Sequence, residues 1–321
     1  MDRAIAAGAI NCTTNPAYCS KLLVSDPDYI RGVIDQVIET THDDVAAIRV
    51  YQRAGAREMA RFRPLYEQSS GRYGYVTMQD DPRDDENPAA VIRGALHNHT
   101  LGPNFMAKIP VIQGGVEALE ACVEANIPIC ATEVFSLDQA IFICELYQQA
   151  VERTGKRPPF YVTHITGIFD EYLDKVAQRE AIDISPEVLA QAGCAVARRQ
   201  YQMLKERGYE TTMLGGGARD AHHFTDMVGG DLHVTINWST AQEILDAGTP
   251  VVSRIDVETP QSVIDELSEK FVDFRRAYSE GGLSLEEFAD YGPVRLFRNA
   301  FLKGYYLLLA EIASRRNARA L

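Results

Sequence analysis

From the N-terminus to about residue 247, short apolar runs alternate with longer amphipathic stretches. This pattern commits the chain to repeated strand-then-helix units. Seven such units can be read, with candidate strands at 9–15, 73–79, 105–111, 127–134, 160–165, 210–215 and 232–237. The stretches between them place apolar residues three and four apart, as in Val116, Leu119, Cys122 and Val123, or Ile141, Cys144, Leu146 and Ala150. That spacing gives a helix one apolar face and leaves its other face polar. Parallel strands joined by helical crossovers predict an α/β chain, a (β/α)8 TIM barrel, with an open doubly wound sheet as the alternative. A closed barrel needs an eighth strand, because an open edge leaves a row of unpaired backbone groups. The first strand is expected to lie before Met1, which stands only a few residues ahead of the first run; the other candidate is PVVSRIDV, 250–257.

Beyond residue 258 the pattern turns helical, which divides the sequence into a barrel domain, 1–248, and a C-terminal helical cap, 249–321. The cap's aromatics, Phe271, Phe274, Tyr278, Phe297, Phe301, Tyr305 and Tyr306, read as packing residues. With 321 residues, 46% of them hydrophobic, one large barrel accounts for the length. The net charge of -13 repels polyanions and excludes nucleic acid as an expected partner. An anionic small substrate would need its own local cation. Six cysteines without CxxC spacing read as reduced, buried thiols. No signal segment and no run of about 18 apolar residues occurs, so no membrane association is expected and a cytoplasmic location is.

Lys108 is the one cation in the apolar run NFMAKIPVI. Strand alternation puts Phe105, Ala107, Ile109 and Val111 on one face and Met106 and Lys108 on the other. Two readings stand side by side. A buried amine is pushed toward its neutral form and can attack a ketone, whereas a strand-end lysine packs its stem and extends its head to water.

Four motifs bear on that choice: CTTNPAY (12–18), AKIPVIQGGVEAL (107–119), ATEVFSLDQA (131–140) and LGGGARD (214–220). In order and spacing they resemble the transaldolase family, over residues 8 to about 247. The resemblance implies a class I mechanism: Lys108 forms a Schiff base with a ketose, the C3–C4 bond breaks, and a dihydroxyacetone unit passes to an aldehyde. The protonated imine serves as the electron sink, so no cofactor and no metal is expected. A small sugar or sugar phosphate is the expected partner, with a homodimer by family analogy.

The resemblance also assigns roles to individual residues. Asn15 matches the asparagine that hydrogen-bonds the dihydroxyacetone unit, although its place before Pro16 also suits a turn. Thr132 matches the threonine that holds the catalytic water, and Ser136 reads as a helix N-cap with Gln139 three residues on. Arg219 matches one of two phosphate-gripping arginines.

Several positions depart from the family pattern. Cys130 replaces an asparagine, Thr163 a serine, and Ile168 the second arginine. Gln79 replaces an acidic residue and cannot ionise, a feature similar to the fructose-6-phosphate aldolases, which release the three-carbon unit. Asp80 and Asp81 are candidates for the missing carboxylate or plain loop charges, and His164 is a candidate proton shuttle or a structural histidine. No match is found to the family's first-strand aspartate.

Two other function classes are weighed. A metal-dependent hydrolase barrel is suggested by His97 and His99, with His164, His222, His223 and His233 as further ligand types. Against it, the HxH pair falls at a helix end rather than at a strand's C-terminal end. The losses at Gln79, Cys130 and Ile168 suggest a non-catalytic sugar-binding or protein-binding barrel.

Overall fold

The computed structural model describes residues 1–319. It has an α/β fold with seven strands: β1 (Cys12–Thr13), β2 (Val76–Met78), β3 (Phe105–Pro110), β4 (Ile129–Thr132), β5 (Phe160–Ile165), β6 (Thr212–Gly216) and β7 (His233–Val234). Helices lie between successive strands, and the strands pair in parallel within each unit, β1 with β2 and β2 with β3, then β5 with β6 and β6 with β7. All seven expected strands are present, most of them shorter than the apolar run that announced them. The alternative eighth strand is corrected: residues 250–257 form no strand, and Val251, Val252 and Val257 are exposed. β-branched residues mark a strand only where a neighbouring sheet can bury them. Among the described residues, no helix is long and apolar enough to cross a membrane.

The chain divides into two compact units. The first comprises Met1–Ile109, Glu117–Ile129 and the helical residues 298–319. Here β1 pairs with β2 through Cys12 and Val76, and β2 pairs with β3 through Thr77 and Met106. The helix Asp43–Gln68 buries Ala47, Val50, Tyr51 and Ala54, a stripe at helical spacing. Its Gly55 lies against Met78 of β2, where any Cβ would fall 2.3 Å from the Met78 sulfur. The helix Pro27–Val37 buries Ile30, Val33, Ile34 and Val37, each contributing about 1.5–3 kcal/mol. Arg315 reaches Asp35, and Arg316 reaches both Asp43 and the Ile38 carbonyl.

The second unit comprises Pro110–Val116 and Cys130–Phe297. β5 pairs with β6 from Tyr161 and Thr212 to Ile165 and Gly216, and β6 continues to β7. Ser136 caps the helix Leu137–Thr154 by accepting from the Gln139 N–H, as the sequence indicated. Phe135, Phe169, Phe274 and Phe297 form a chain of ring contacts.

The tail beyond 258 is helical, in the segments Gln261–Lys270, Val272–Tyr278, Leu285–Phe288 and Gly292–Arg319. Five of its seven aromatics are buried; Tyr278 is partly exposed, and Tyr306, 54% exposed, departs from the packing role. All six cysteines are free and buried.

Candidate active site

In the first unit, Lys108 lies on β3 between buried neighbours and is itself only half-buried, between the buried amine and the strand-end lysine that the sequence left open. Its Nζ donates to the Thr14 carbonyl at 3.3 Å and stands 5.8 Å from the centre of the buried Phe301 ring. The stem is packed, and the Thr14 carbonyl oxygen helps hold the head.

Hydrogen counting fixes the direction of the bonds behind Thr14. The Thr14 hydroxyl donates to the Thr77 carbonyl at 2.6 Å, so its single proton is committed there. The Tyr51 hydroxyl, 2.7 Å from Thr14 Oγ1, must therefore be the donor in that pair. Tyr51 in turn accepts from the Gln79 backbone N–H at 3.3 Å. The result is a directed chain, Gln79 to Tyr51 to Thr14 to Thr77, that spans β1, β2 and the helix Asp43–Gln68. Complete burial raises the Tyr51 phenol far above its ordinary range, so it stays neutral.

Gln79 is 1% exposed at the end of β2. Asn15 takes the turn geometry that its place before Pro16 suggested: Oδ1 accepts from Ala17 N at 3.0 Å. The two loop aspartates differ. Asp81 forms a two-oxygen pair with Arg83 at 2.6–3.1 Å. Asp80 packs against Gly94, where an added Cβ would overlap its Oδ2, and accepts from Asn98 at 3.3 Å. Burial pushes its carboxyl up to about 6.

In the second unit, Cys130 and Thr132 lie on β4 and are fully buried. Thr132 uses its carbonyl to accept from Val111 N at 2.8 Å, but its Oγ1 has no hydrogen-bond partner among the described residues. The Oγ1 of Thr163, on β5, also has none. A buried hydroxyl left without a partner costs about 1–3 kcal/mol, so two at sequence-selected positions are informative.

Glu133 follows Thr132 and was not selected from the sequence. It is fully buried, and its φ of +64° is in the left-handed region, which costs a non-glycine residue about 1–2 kcal/mol. The buried Gln139 side chain holds this turn, donating to the carbonyls of Val111 and Glu133 and accepting from Phe135 N. The only signal in the sequence was a carboxylate inside the apolar run ICATEVF.

His164 proves structural. Its ring nitrogens face Gln200 Oε1 at 2.9 Å and the Gly193 carbonyl at 3.2 Å, and burial lowers its pKa to about 4. Arg219 follows β6, is half exposed, and pairs with Glu171 at 2.9 Å. An exposed pair of this kind contributes at most about 1 kcal/mol, so an anion can compete for the guanidinium. Ile168 is 3% exposed and offers no polar group. His97 and His99 sit in the last turn of the helix Pro88–His99, where the sequence placed them.

The model of the Transaldolase/Fructose-6-phosphate aldolase family matches residues 1–285, and the chain belongs to that family. Among curated proteins it is similar to the transaldolase of Kocuria rhizophila, 26% identical over 209 residues, covering 61% of this chain and 56% of that protein. It is similar as well to the transaldolase of Mycobacterium marinum, 27% identical over 225 residues, covering 62% and 59%. The transaldolase of Thermobifida fusca is 26% identical over 225 residues, covering 65% and 60%. The chain thus spans under two thirds of the length of these relatives. Among solved structures, the methanol:cobalamin methyltransferase complex MtaBC from Methanosarcina barkeri aligns with a TM-score of 0.36 and 12% identity, over 86% of this chain and 77% of that one.

Proposed function

We propose that this chain carries out transaldolase-like chemistry, moving a three-carbon dihydroxyacetone unit from a ketose to an aldose through a Schiff base on Lys108. The observation that carries this reading is the lysine of the KIP motif on β3, its amine held by the Thr14 carbonyl. Attack of the neutral amine on the ketose carbonyl, with loss of water, gives the imine, and its protonated form accepts the electron pair released when C3–C4 breaks. Thr132 holds the water that exchanges protons with the intermediate. Thr163, Asn15 and Cys130 line the sugar, and Arg219 contacts an anionic group on it. The family's (β/α)8 barrel is the architecture in which these strand ends would converge.

Gln79 cannot ionise, so the proton the reaction requires has to come from another group. A second reading, cleavage that releases free dihydroxyacetone without transfer, is favoured by the same glutamine.

Product analysis separates the two. A ketose phosphate incubated with and without an aldose acceptor should yield a new ketose only with the acceptor. Free dihydroxyacetone at equal rates in both reactions would establish cleavage. Turnover unaffected by Lys108→Ala would remove both readings. With Ile168 in place of a second cation, removing the substrate phosphate should cost less than in a protein that grips it with two arginines.

A further inference from the structure

The segment after β6 carries two adjacent histidines, His222 and His223, in the short helix His222–Thr225. With Cys194 of the helix Ala192–Glu206 they bring one sulfur and two ring nitrogens within 4.8 Å of one another. Cys194 and His223 are buried, and the His222 side chain is 33% exposed, which leaves a path from solvent.

The partners of each ring show which nitrogen is available. His223 Nε2 is 2.7 Å from the Asp170 carboxylate, whose other oxygen accepts from Gly193 N, so Nε2 carries the proton. His222 Nε2 is 3.0 Å from the Ala190 carbonyl, which can only accept, and is protonated for the same reason. Both rings therefore keep Nδ1 unprotonated, and that of His223 accepts from the Arg219 and Asp220 N–H groups. An N–H anchored on an outer oxygen with the opposite nitrogen left basic is how a metal-binding histidine is oriented. His222 Nδ1 stands 3.9 Å from the Asp220 carboxylate, in reach as a fourth donor.

We propose that Cys194, His222 and His223, completed by Asp220, form a zinc site. A thiolate with imidazole nitrogens suits zinc among the common divalent ions. Coordination draws each donor to about 2.0–2.3 Å from the ion. The thiol proton is released to solvent as the sulfur–zinc bond forms, so binding weakens as pH falls. The ion also takes the place of the Arg219 and Asp220 N–H groups, which now lie 3.3 and 3.1 Å from His223 Nδ1. The site would clasp the helix Ala192–Glu206 to the segment that carries Arg219, and the lysine chemistry makes no use of it.

The test uses the full chain, stripped with a chelator and titrated with Co²⁺. One equivalent should bind with a thiolate-to-cobalt charge-transfer band and the visible bands of a tetrahedral ion, and Zn²⁺ should displace it. Cys194→Ser should lose the charge-transfer band. His222→Gln, at a half-exposed position, should keep the far-ultraviolet dichroism and weaken uptake by at least about 10-fold, and Asp170→Asn should weaken it by about 10–100-fold. No charge-transfer band in the unmodified chain, or a band that survives Cys194→Ser, would overturn the proposal.

Discussion

Two pairs of buried hydroxyls, one pair in each unit, are satisfied in opposite ways. Around β1 to β3, the Tyr51 and Thr14 hydroxyls and the Gln79 backbone N–H each have a protein partner, and the chain they form ends behind the carbonyl that receives Lys108. On β4 and β5, the Thr132 and Thr163 hydroxyls have none among the described residues, and the neighbouring Glu133 sits on a left-handed backbone. A saturated network holds a side chain still, whereas unsatisfied groups bind what comes from outside. The first arrangement suits a nucleophile's support, and the second suits contact with water or substrate.

The largest expected break in this contrast is Thr132→Val. If the hydroxyl serves only a water or substrate, turnover should fall by about 10²-fold or more while unfolding free energy stays level or rises by about 1 kcal/mol. A destabilised variant with normal turnover would show that Thr132 has a structural role instead. Paired kinetics and urea unfolding give both readouts.

Asp80 comes next, through pH. Its carboxyl is held at about 6 against an ordinary value of 3.8, so between those values the folded chain keeps a proton that the unfolded chain has released. The stability it contributes is therefore complete below about pH 4 and is lost as pH rises through about 6. Asp80→Asn should be more stable than the parent by about 2–3 kcal/mol at high pH, with the gap closing below about pH 4. Thermal unfolding across that range checks the slope, and a constant gap would contradict it.

His164 runs in the other direction. Its pKa is lowered from 6.5 to about 4, so its contribution is present above about pH 6.5 and lost as pH falls through about 4. The parent should lose up to about 3 kcal/mol over that interval, and His164→Gln should flatten the profile. The smallest effect is expected from Tyr51→Phe, which leaves the Gln79 N–H without its acceptor at a cost of about 1–3 kcal/mol. A loss of activity greater than the loss of stability would show that the network positions Lys108 as well as supporting the fold.

What could be read from the sequence was local. Seven strands, the Ser136 cap and the buried thiols follow from periodicity and short-range chemistry, and each is present. The boundaries were less legible: the runs at 9–15 and 232–237 shrink to two residues each, because pairing stops where the chain turns into the next helix. Residues 250–257 look like a strand by composition and lack a sheet neighbour. Lys108 was placed correctly on its strand, but its half-buried state depends on Thr14 and Phe301, which are distant in sequence. Tyr51 was not singled out, because its bonds to Thr14 and Gln79 join segments remote in sequence. Glu133 and the Cys194 cluster were hidden for the same reason, since φ and distances between remote segments have no local signature.

The central claim is that Lys108 is a nucleophile. Borohydride reduction in the presence of a ketose, followed by peptide mass mapping, tests it directly. The account predicts one sugar-derived adduct on Lys108, absent without the ketose and absent in Lys108→Ala. A protein that stays unmodified, or an adduct that maps to another lysine and persists in Lys108→Ala, would contradict it.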